Sequence, residues 1–494
     1  MAQIQIKNLT FAYDGSYDNV FENVDFQIDS DWKLGFIGRN GRGKTTFLKL
    51  LMGEFSYHGS IIASTQFAYF PYPVKDNSAL TISILEEINP DFEYWEIAKE
   101  MNLLEIEEDV LYRPFYTLSG GEQTKLLLAV LFLKNDRFLL IDEPTNHLDT
   151  KGRELLKNYL NRKKSFILVS HDRAFLDGCV DHILSINKTN IEVQTGNYSS
   201  WKANKERQDS YELAENEKLK KEISRLKESA RERAEWSDRA EAGKFGANAS
   251  SAFVDRGFIG HKAEKMMKRA KSIEKRTDKA IEEKSKLLKN IESSDDLKIS
   301  ALNYHKSRLI SMQNVALAYD AQVICQNITF VLERGDRIAL CGKNGCGKSS
   351  ILKLICGESI EYTGNIEIGS GLKISYISQN TSFLKGRLSS FAKDSNIDES
   401  LFKAILRKMD FSRIQFEKDI ADFSEGQKKK VLLAKSLCES AHLYIWDEPL
   451  NFIDMDSRIQ IENLLLQFQP TMIFVEHDIA FRDAIATKII RITG

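Results

Sequence analysis

Two loops in this chain have the residue types and spacing of a phosphate-binding site. Residues 38–45 read G-R-N-G-R-G-K-T and residues 342–349 read G-K-N-G-C-G-K-S, and each loop lies between two apolar runs. Glycines at these spacings let backbone N–H groups close around phosphate oxygens, the lysine adds positive charge, and the final hydroxyl can ligate Mg²⁺. The residues expected to line the two sites are Gly38, Asn40, Gly41, Gly43, Lys44, Thr45 and Thr46 in the first loop, and Gly342, Asn344, Gly345, Gly347, Lys348, Ser349 and Ser350 in the second.

A pair of carboxylates follows each loop at the end of a further apolar run. The first pair is Asp142 and Glu143, and the second is Asp447 and Glu448. The first acid of each pair is placed to hold Mg²⁺, directly or through water, and the second to polarise an attacking water. Acids at the end of a strand can also be ordinary solvent-exposed residues without a function. A phosphate loop in the same half favours the catalytic interpretation.

A histidine and a serine-led helix complete each half. His171 and His477 each end another apolar run, where a histidine can sense a γ-phosphate or simply cap a strand. Residues 118–123 (L-S-G-G-E-Q) and 423–427 (F-S-E-G-Q) precede apolar stretches of helical period. A capping serine leaves helix N–H groups free beyond it, and such helix ends bind anions. The residues expected to contribute are Ser119, Gly120, Gly121, Ser424 and Gly426.

Between the two halves lies a long charged stretch without proline, residues 197–305. Apolar residues recur at spacings of three and four in residues 219–230 and again in residues 266–291. This periodicity predicts two helices of about 25–35 residues, folded back as a hairpin that reaches roughly 40–50 Å. Residues 201–290 hold 24 Lys/Arg and 17 Asp/Glu, a balance of +7 in a chain of net charge −2. A basic hairpin favours a polyanionic partner, although a merely solvated hairpin would show the same pattern.

Length and composition are those of a multidomain globular protein. The chain has 494 residues, of which 42% are apolar and 28% charged, and it divides into three expected domains at residues 1–196, 197–305 and 306–494. Six cysteines show no metal-ligand spacing and indicate a reducing compartment. We find no apolar leader and no run of the length that a membrane span needs, so the expected location is cytoplasmic.

Taken in order, these motifs resemble those of an ATP-binding cassette (ABC) domain, present twice. The loops resemble Walker A, the serine-led segments the signature, and the acid pairs Walker B; residues 146–149 and 451–454 resemble the D-loop. The resemblance implies an α/β fold with two ABC-type nucleotide-binding domains joined by a long α-helical hairpin linker. It also implies ATP hydrolysis with Mg²⁺ as cofactor.

The resemblance assigns roles to individual residues. It implies catalytic roles for Glu143, Glu448, His171 and His477, and it implies that Thr45, Asp142, Ser349, Gln379 and Asp447 hold the metal. Tyr13 and Tyr319 match the family's aromatic that stacks on adenine, and a β-sheet core role for Tyr13 stays open.

Two departures from the family pattern fall in the same site. The Q-loop glutamine, present as Gln379 in the second copy, is Tyr72 in the first, and Glu425 replaces the first signature glycine of the second copy. Two such copies normally close head to tail, so one site would combine Lys44, Tyr72 and Glu425. A carboxylate near phosphate is unfavourable unless it points away. We therefore expect the other site, which contains Glu448, to hydrolyse faster.

Two cassettes fused through a charged hairpin resemble the ABC-F proteins, which act on the ribosome. Residues 15–19, 32–48 and 112–119 resemble the Lsa-type antibiotic-resistance subgroup. About 45 residues between Tyr72 and Leu118 leave no room for the arm insertion of housekeeping factors, and 17 residues after His477 leave none for a C-terminal extension. The resemblance implies a monomer that binds the E site of the bacterial 70S ribosome, near 23S rRNA and P-site tRNA. It also implies displacement of lincosamides, pleuromutilins and streptogramin A compounds, with no membrane or DNA partner.

The hairpin tip would carry the contacts to tRNA, rRNA or the drug pocket. Basic side chains neutralise phosphates and aromatic rings stack on bases, though these rings can equally pack within the tip. The residues expected there are Lys244, Phe245, Phe253, Phe258, Lys262, Lys265, Lys268 and Arg269. Three other functions stay open: a housekeeping translation factor of the same family, a soluble transporter subunit, and a DNA-structural ATPase with a coiled-coil spacer.

Overall fold

Each half of the chain builds a mostly parallel sheet, as its short apolar runs predict. The computed structural model describes residues 3–14, 19–134, 137–146, 148–186, 191–242, 297–319 and 322–492. The residues up to Trp201 and those from Leu297 onward belong to one compact unit, and the helix from Lys202 belongs to a second. The predicted fold class is confirmed, while the three domain bounds stay a prediction.

The first half contains nine described strands and six α-helices before the linker. The strands are β1 Gln3–Phe11, β2 Phe21–Asp29, β3 Lys33–Ile37, β4 His58–Ala63, β5 Gln66–Phe70, β6 Arg137–Asp142, β7 Phe166–Val169, β8 His182–Ile186 and β9 Ile191–Thr195. The helices are Lys44–Leu51, Thr81–Ile88, Tyr94–Leu103, Gly120–Phe132, Thr150–Asn161 and Arg173–Cys179.

The first half's main sheet has the order β5-β6-β7-β3-β8-β9, and only β9 runs antiparallel to its neighbour. All four residues of β7 are buried, as expected for a central parallel strand covered on both faces. The loop of residues 38–45 leaves the carboxyl end of β3, next to the ends of β6 and β7. This edge is where ligands bind in open parallel sheets.

The second half repeats this plan after the linker. Its strands are β10 Arg308–Tyr319, β11 Gln322–Glu333, β12 Arg337–Cys341, β13 Glu361–Ile368, β14 Ile374–Ile377, β15 Leu443–Asp447, β16 Met472–Val475 and β17 Lys488–Arg491. Its helices are Lys348–Ile355, Leu388–Asp394, Glu399–Lys408, Glu425–Cys438, Met455–Phe468 and Ile479–Ile485. The main sheet has the parallel order β14-β15-β16-β12-β17.

A small antiparallel sheet covers the phosphate-loop helix in each half. The orders are β2-β1-β4 and β11-β10-β13. In the first half, apolar residues of β1, β2 and the helix Lys44–Leu51 form one core with one face of the main sheet. The opposite face packs against the helices that carry the signature segment. The sheet therefore fixes the phosphate loop and the acid pair relative to each other.

The linker begins with one long helix, Tyr198–Ala242, of 45 residues. At 1.5 Å per residue it extends about 68 Å, longer than the predicted 25–35 residues and 40–50 Å for an arm. Tyr198 and Trp201 in its first turn pack on the core of the first half. The predicted return arm and the tip, from Lys244 to Arg269, lie outside the described residues. Among the described helices, none is long and apolar enough to span a membrane.

Candidate active sites

Two cavities lie between the halves, and each combines motifs from both. What we call the second site is a cavity of about 930 Å³ lined by the second phosphate loop, Gln379, Glu448, His477 and the first signature, including Ser119. The first site is a cavity of about 380 Å³ lined by Lys44, Glu143, His171 and the second signature. The structure therefore brings the motifs together head to tail.

Each phosphate loop folds around its own lysine. Lys44 Nζ donates to the carbonyl oxygen of Gly38 at 2.5 Å and to Asn40 Oδ1 at 3.3 Å. Lys348 Nζ donates to the carbonyl oxygens of Gly342 and Lys343 at 2.9 and 2.8 Å. Burial lowers the pKa of Lys44, and the nearby carboxylates, Glu143 first, oppose that shift. Both lysines are held where a bound phosphate would replace backbone oxygens as their partner.

The residues expected to hold Mg²⁺ fit a small, hard cation. Thr45 Oγ1 donates to Asp142 Oδ2 at 2.7 Å. Burial raises the pKa of Asp447 to about 6, against a hydrogen bond from Ser349, and its buried Oδ1 has no hydrogen-bond partner among the described residues. The described residues contain no group of three or more His, Cys, Asp or Glu that could cage a metal. One carboxylate and one hydroxyl per site suit Mg²⁺, which takes its other ligands from phosphates and water.

The two tyrosines expected at adenine lie beside the phosphate-loop helices. The hydroxyl of Tyr13 shares a 2.6 Å hydrogen bond with Thr46 Oγ1, and that of Tyr319 donates to Ser350 Oγ at 3.3 Å. The side chains are 46% and 42% exposed respectively. This exposure argues against the core role that the sequence left open for Tyr13. It leaves ring surface available for a base.

The two glutamates next to the metal acids share a strained backbone. Glu143 has φ 51° and Glu448 has φ 48°, a left-handed conformation that is costly for a residue with a Cβ. In both copies the backbone N–H bonds to the neighbouring strand, Glu143 to Val169 and Glu448 to Val475. The sheet thus holds each carboxylate toward its cavity despite the strain.

Glu448 in the second site is held by three side chains. Gln379 Nε2 donates to Glu448 Oε2 at 2.9 Å, and Asn451 Nδ2 donates to the same oxygen at 2.7 Å. His477 Nε2 lies 3.3 Å from Glu448 Oε1. Burial by itself would raise the pKa of Glu448, but His477 and Gln379 outweigh it and hold that pKa below its usual value. Glu448 is therefore ionised at neutral pH, as a general base must be.

Glu143 in the first site has poorer support. Its Oε1 lies 3.3 Å from His171 Nε2 but has no hydrogen-bond partner among the described residues. Burial, and next the charge of Asp142, raise the pKa of Glu143 to about 8. Burial also lowers the pKa of His171 well below its usual value. At neutral pH this pair is mostly uncharged, the opposite of the arrangement around Glu448.

Strand register places Tyr72 of the first half at the position that Gln379 has in the second half. Phe70 pairs with Ile141 in one sheet, and Ile377 pairs with Trp446 in the other. Counting two residues on from Phe70 and Ile377 places Tyr72 at the position of Gln379. Tyr72 lines a cavity together with Asp142 and Glu143, but a phenol cannot donate an amide hydrogen bond as Gln379 does.

The signature serines cap their helices as predicted. Ser119 Oγ accepts from the Glu122 backbone N–H at 3.3 Å, and Ser424 Oγ accepts from the Gln427 backbone N–H at 3.3 Å. A Cβ on Gly426 would lie 2.4 Å from the carbonyl oxygen of Phe452. This close approach explains why the second signature keeps its glycine at Gly426.

The unusual Glu425 is turned toward its own half. Thr381 Oγ1 donates to Glu425 Oε2 at 2.5 Å, and Lys428 Nζ lies 3.4 Å from Glu425 Oε1. The expected penalty of a carboxylate near phosphate is therefore reduced, because a hydroxyl and an ammonium group already face it. The expectation that the first site is slower therefore depends more on Tyr72 and on the environment of Glu143.

Direct contacts between the halves close the first site. Arg39 in the first phosphate loop forms an ion pair with Asp410, and its Nε lies 3.8 Å from Asp456 Oδ2. Asn40 Nδ2 donates to the carbonyl oxygen of Phe452 at 3.1 Å. We call the set Arg39, Asp410 and Asp456 the ionic latch. In this latch the guanidinium of Arg39, from the first half, lies between two carboxylates of the second half.

The second site has a different charge arrangement at the matching positions. Lys343 replaces Arg39, and Glu105 and Lys151 replace Asp410 and Asp456. Lys151 Nζ pairs with Glu105 Oε2 at 2.6 Å within the first half. All three side chains line the larger cavity. The cation of Lys151 stands where Asp456 stands in the other copy, so the second site lacks the pair of acids that faces Arg39 in the first site.

Reversing one latch charge should loosen the first site. We expect Asp456→Lys to raise amide hydrogen exchange of residues 38–43 by about tenfold in nucleotide-free protein, because Arg39 would then face a cation. The matched control is Lys151→Asp, which should leave residues 38–43 unchanged and slow exchange of residues 343–346. Unchanged exchange of residues 38–43 in Asp456→Lys would contradict the role of the latch.

Sequence reasoning missed the latch and the side-chain bridges around Glu448. Arg39 stands at a position of the phosphate-loop motif that any residue can fill, Asn451 belongs to the D-loop segment without a separate role, and Asp456 belongs to no motif. Comparing the two copies position by position would have exposed the change from Lys151 to Asp456. The predicted tip contacts lie outside the described residues, so they stay predictions.

Comparisons with known proteins agree with this arrangement. The ABC transporter family profile matches residues 21–146 and 325–451. Ribosome protection protein VmlR of Bacillus subtilis (strain 168) is 28% identical over 476 residues, 94% of this chain and 83% of that protein. ATP-binding protein Uup of Buchnera aphidicola subsp. Acyrthosiphon pisum (strain APS) is 28% identical over 99% of this chain and 80% of its own length.

A solved structure extends the comparison to the fold. The structure titled RNase-L Inhibitor superposes with a TM-score of 0.63 at 18% identity, over 99% of this chain and 88% of that one. The two matched segments together cover more than half of the sequence, and the chain therefore belongs to the ABC family of ATPases. Its relatives over nearly the whole chain are ABC-F proteins at 28% identity. The family recognised from the motifs is confirmed.

Proposed function

We propose that this ATPase is a ribosomal protection protein that uses ATP to bind the ribosomal E site and displace antibiotics. The observation that carries the proposal is the match to a ribosome protection protein over 94% of this chain, linker included. The antibiotics proposed are lincosamides, pleuromutilins and streptogramin A compounds. The partner is the bacterial 70S ribosome, with contacts to 23S rRNA and P-site tRNA.

ATP is proposed to act as a bridge between the halves. In each site the phosphate loop of one half faces the signature of the other, so one nucleotide contacts both. At the second site Ser119 would reach the γ-phosphate held by Lys348, and the site must close from about 930 Å³ to do so. Loss of the γ-phosphate removes these contacts, and the halves separate and release the ribosome.

The chemistry proposed for the second site follows from the groups that hold Glu448. The ionised carboxylate accepts a proton from the attacking water, while His477 and Gln379 keep the carboxylate oriented. Mg²⁺ held by Ser349, Asp447 and Gln379 would neutralise charge on the phosphates. Thr45 and Asp142 would hold the ion in the first site.

We propose that the hairpin transmits the closure of the two halves to the ribosome. Its first helix, Tyr198–Ala242, starts on the core of the first half, so a change in that half moves the base of the linker. Basic and aromatic residues of the tip, from Lys244 to Arg269, would contact tRNA, rRNA or the drug pocket. We propose that the protein acts in the cytoplasm as a monomer, without membrane or DNA partners.

A second candidate is a housekeeping translation factor of the same family. The chain is as similar to ATP-binding protein Uup as to VmlR, with 28% identity in both cases, and this equality supports the second candidate. Against it, the segment between Tyr72 and Leu118 contains only the helices Thr81–Ile88 and Tyr94–Leu103 and two short 3₁₀ turns. A growth defect on gene deletion without drug would favour the housekeeping role.

Drug susceptibility tests the proposed function directly. Expression of the chain in a sensitive bacterium should raise the inhibitory concentration of lincomycin, tiamulin or virginiamycin M at least about fourfold. The Lys348→Ala variant, expressed at the same level, should give no protection. Unchanged susceptibility to all three classes would contradict the antibiotic function while leaving the ATPase assignment intact.

The two sites should also differ in pH dependence. In Glu448→Gln protein only the first site turns over, and its rate should rise as the pH passes about 8, because the pKa of Glu143 is raised to about 8 and the base must be unprotonated. In Glu143→Gln protein the rate should already be near its maximum at neutral pH, because the pKa of Glu448 is below its usual value. Phosphate release measured between pH 6 and 9 tests this, and superimposable profiles would contradict it.

A further inference from the structure

Glu476, next to His477, joins two loops of the second site. Its buried carboxylate accepts the backbone N–H of Leu450 at Oε1, 2.8 Å, and the backbone N–H of His477 at Oε2, 3.1 Å. Leu450 lies in the loop that follows Glu448, and His477 lies at the end of the neighbouring strand. One side chain therefore fixes the distance between these loops.

The two loops carry the groups that hold Glu448. Asn451, next to Leu450, donates to Glu448 Oε2, and His477 approaches Glu448 Oε1. Arg458 Nη2 donates to the Leu450 carbonyl oxygen at 3.0 Å from the other side. The backbone of this loop is thus fixed at both its N–H and its C=O.

Among the described residues of the first half, no carboxylate forms an equivalent bridge. Ser170 stands before His171, and its Oγ accepts the backbone N–H of Asp172 at 3.2 Å. Ser170 contacts the loop that follows Glu143 through a hydrogen bond of 3.4 Å between its Oγ and Thr145 Oγ1. His171 also lies close to the phosphate loop, because its Nε2 is 3.1 Å from Asn40 Oδ1.

Burying a carboxylate costs free energy unless strong hydrogen bonds or charged partners offset that cost. Glu476 is 6% exposed, and burial raises its pKa, against the nearby positive charge of Arg458 and the Leu450 hydrogen bond. Hydrogen bonds from backbone N–H groups to a carboxylate are among the stronger ones in proteins. They suit a group that fixes loop geometry without touching the substrate.

We propose that Glu476 is a positioning residue that holds His477 and Asn451 against Glu448, and that serine at the matching position contributes to slow turnover in the first site. This rests on the proposed role of Glu448 as the base. Glu476 itself lines neither of the two candidate active-site cavities described above. Its effect should therefore appear in the chemical step, with little effect on nucleotide affinity.

The test uses Glu143→Gln protein, in which turnover comes from the second site. We expect Glu476→Ser in this background to lower kcat about tenfold, because the base is no longer oriented, with KM for ATP changed less than about twofold. Glu476→Gln keeps one acceptor oxygen and similar volume, so its loss of kcat should be smaller, about threefold. A rise in KM with kcat unchanged, or full kcat in Glu476→Ser, would overturn the proposal.

A reciprocal variant guards against a simple folding defect. Ser170→Glu in Glu448→Gln protein should raise first-site kcat at least about threefold, and no gain in a protein with unchanged thermal stability would count against the proposal. If Glu448 is not the base, Glu143→Gln and Glu143→Gln/Glu448→Gln proteins should turn over ATP equally before any change at Glu476. That result would contradict the proposed function of Glu448 and is distinct from a failure of the Glu476 proposal.

Discussion

Glu448→Gln should lower steady-state ATP turnover by about 100-fold, whereas Glu143→Gln should lower it by less than about twofold. The difference follows from the groups around each carboxylate. Glu448 is oriented by Gln379, Asn451 and His477 and its pKa is below the usual value. Glu143 is largely protonated near neutral pH because its pKa is raised to about 8.

The measurement is phosphate release at saturating ATP and pH 7 for both variants and the parent. Nucleotide affinity should be measured alongside it, because Glu448→Gln removes a negative charge near phosphate and can tighten binding. Tyr72→Gln is the matched gain-of-function variant and should raise first-site turnover in Glu448→Gln protein. Equal losses in the two single variants would contradict the inequality of the sites.

Arg458→Met should destabilise the protein by about 3–5 kcal/mol, because it leaves the buried carboxylate of Asp478 without its cation. Arg458 Nη1 lies 3.2 Å from Asp478 Oδ2, and the two side chains are 7% and 1% exposed. Arg458 also donates to the carbonyl oxygens of Ile453 and Leu450. The substitution therefore removes a charge pair and two backbone contacts at once.

Pulse proteolysis across a urea series measures this loss in the full chain. The matched control is Lys75→Met, which breaks an exposed 3.3 Å ion pair with Glu87 and should cost less than about 1 kcal/mol. A loss in Arg458→Met no larger than in this control would show that the buried pair is not a main source of stability.

The site motifs could be predicted from sequence because their chemistry is local. A phosphate loop needs its glycines, lysine and hydroxyl within eight residues, and the structure places Lys44 and Lys348 inside such loops. The acids at strand ends were predictable for the same reason. Apolar runs of four or five residues predicted buried parallel strands, and β7 and β15 are buried along their whole length.

The contacts between the halves could not be predicted, because they join residues that are hundreds of positions apart. Arg39 and Asp410 give no sign of each other in the sequence, yet they form an ion pair. The pKa of Glu143 likewise depends on burial and on charges from both halves, Asp142 and Lys44 in the first and Arg458 in the second, which no local pattern reports. The orientation of Glu425 toward Thr381 depends on a side-chain torsion that spacing does not fix.

Ribosome binding by the Glu143→Gln/Glu448→Gln protein tests the central claim most directly. Without either base, ATP should close both sites and stay intact, so the protein should sediment with 70S ribosomes in ATP and remain in the supernatant without it. A protein that binds ATP but never sediments with ribosomes would contradict the proposed function. Its partner would then have to be sought elsewhere.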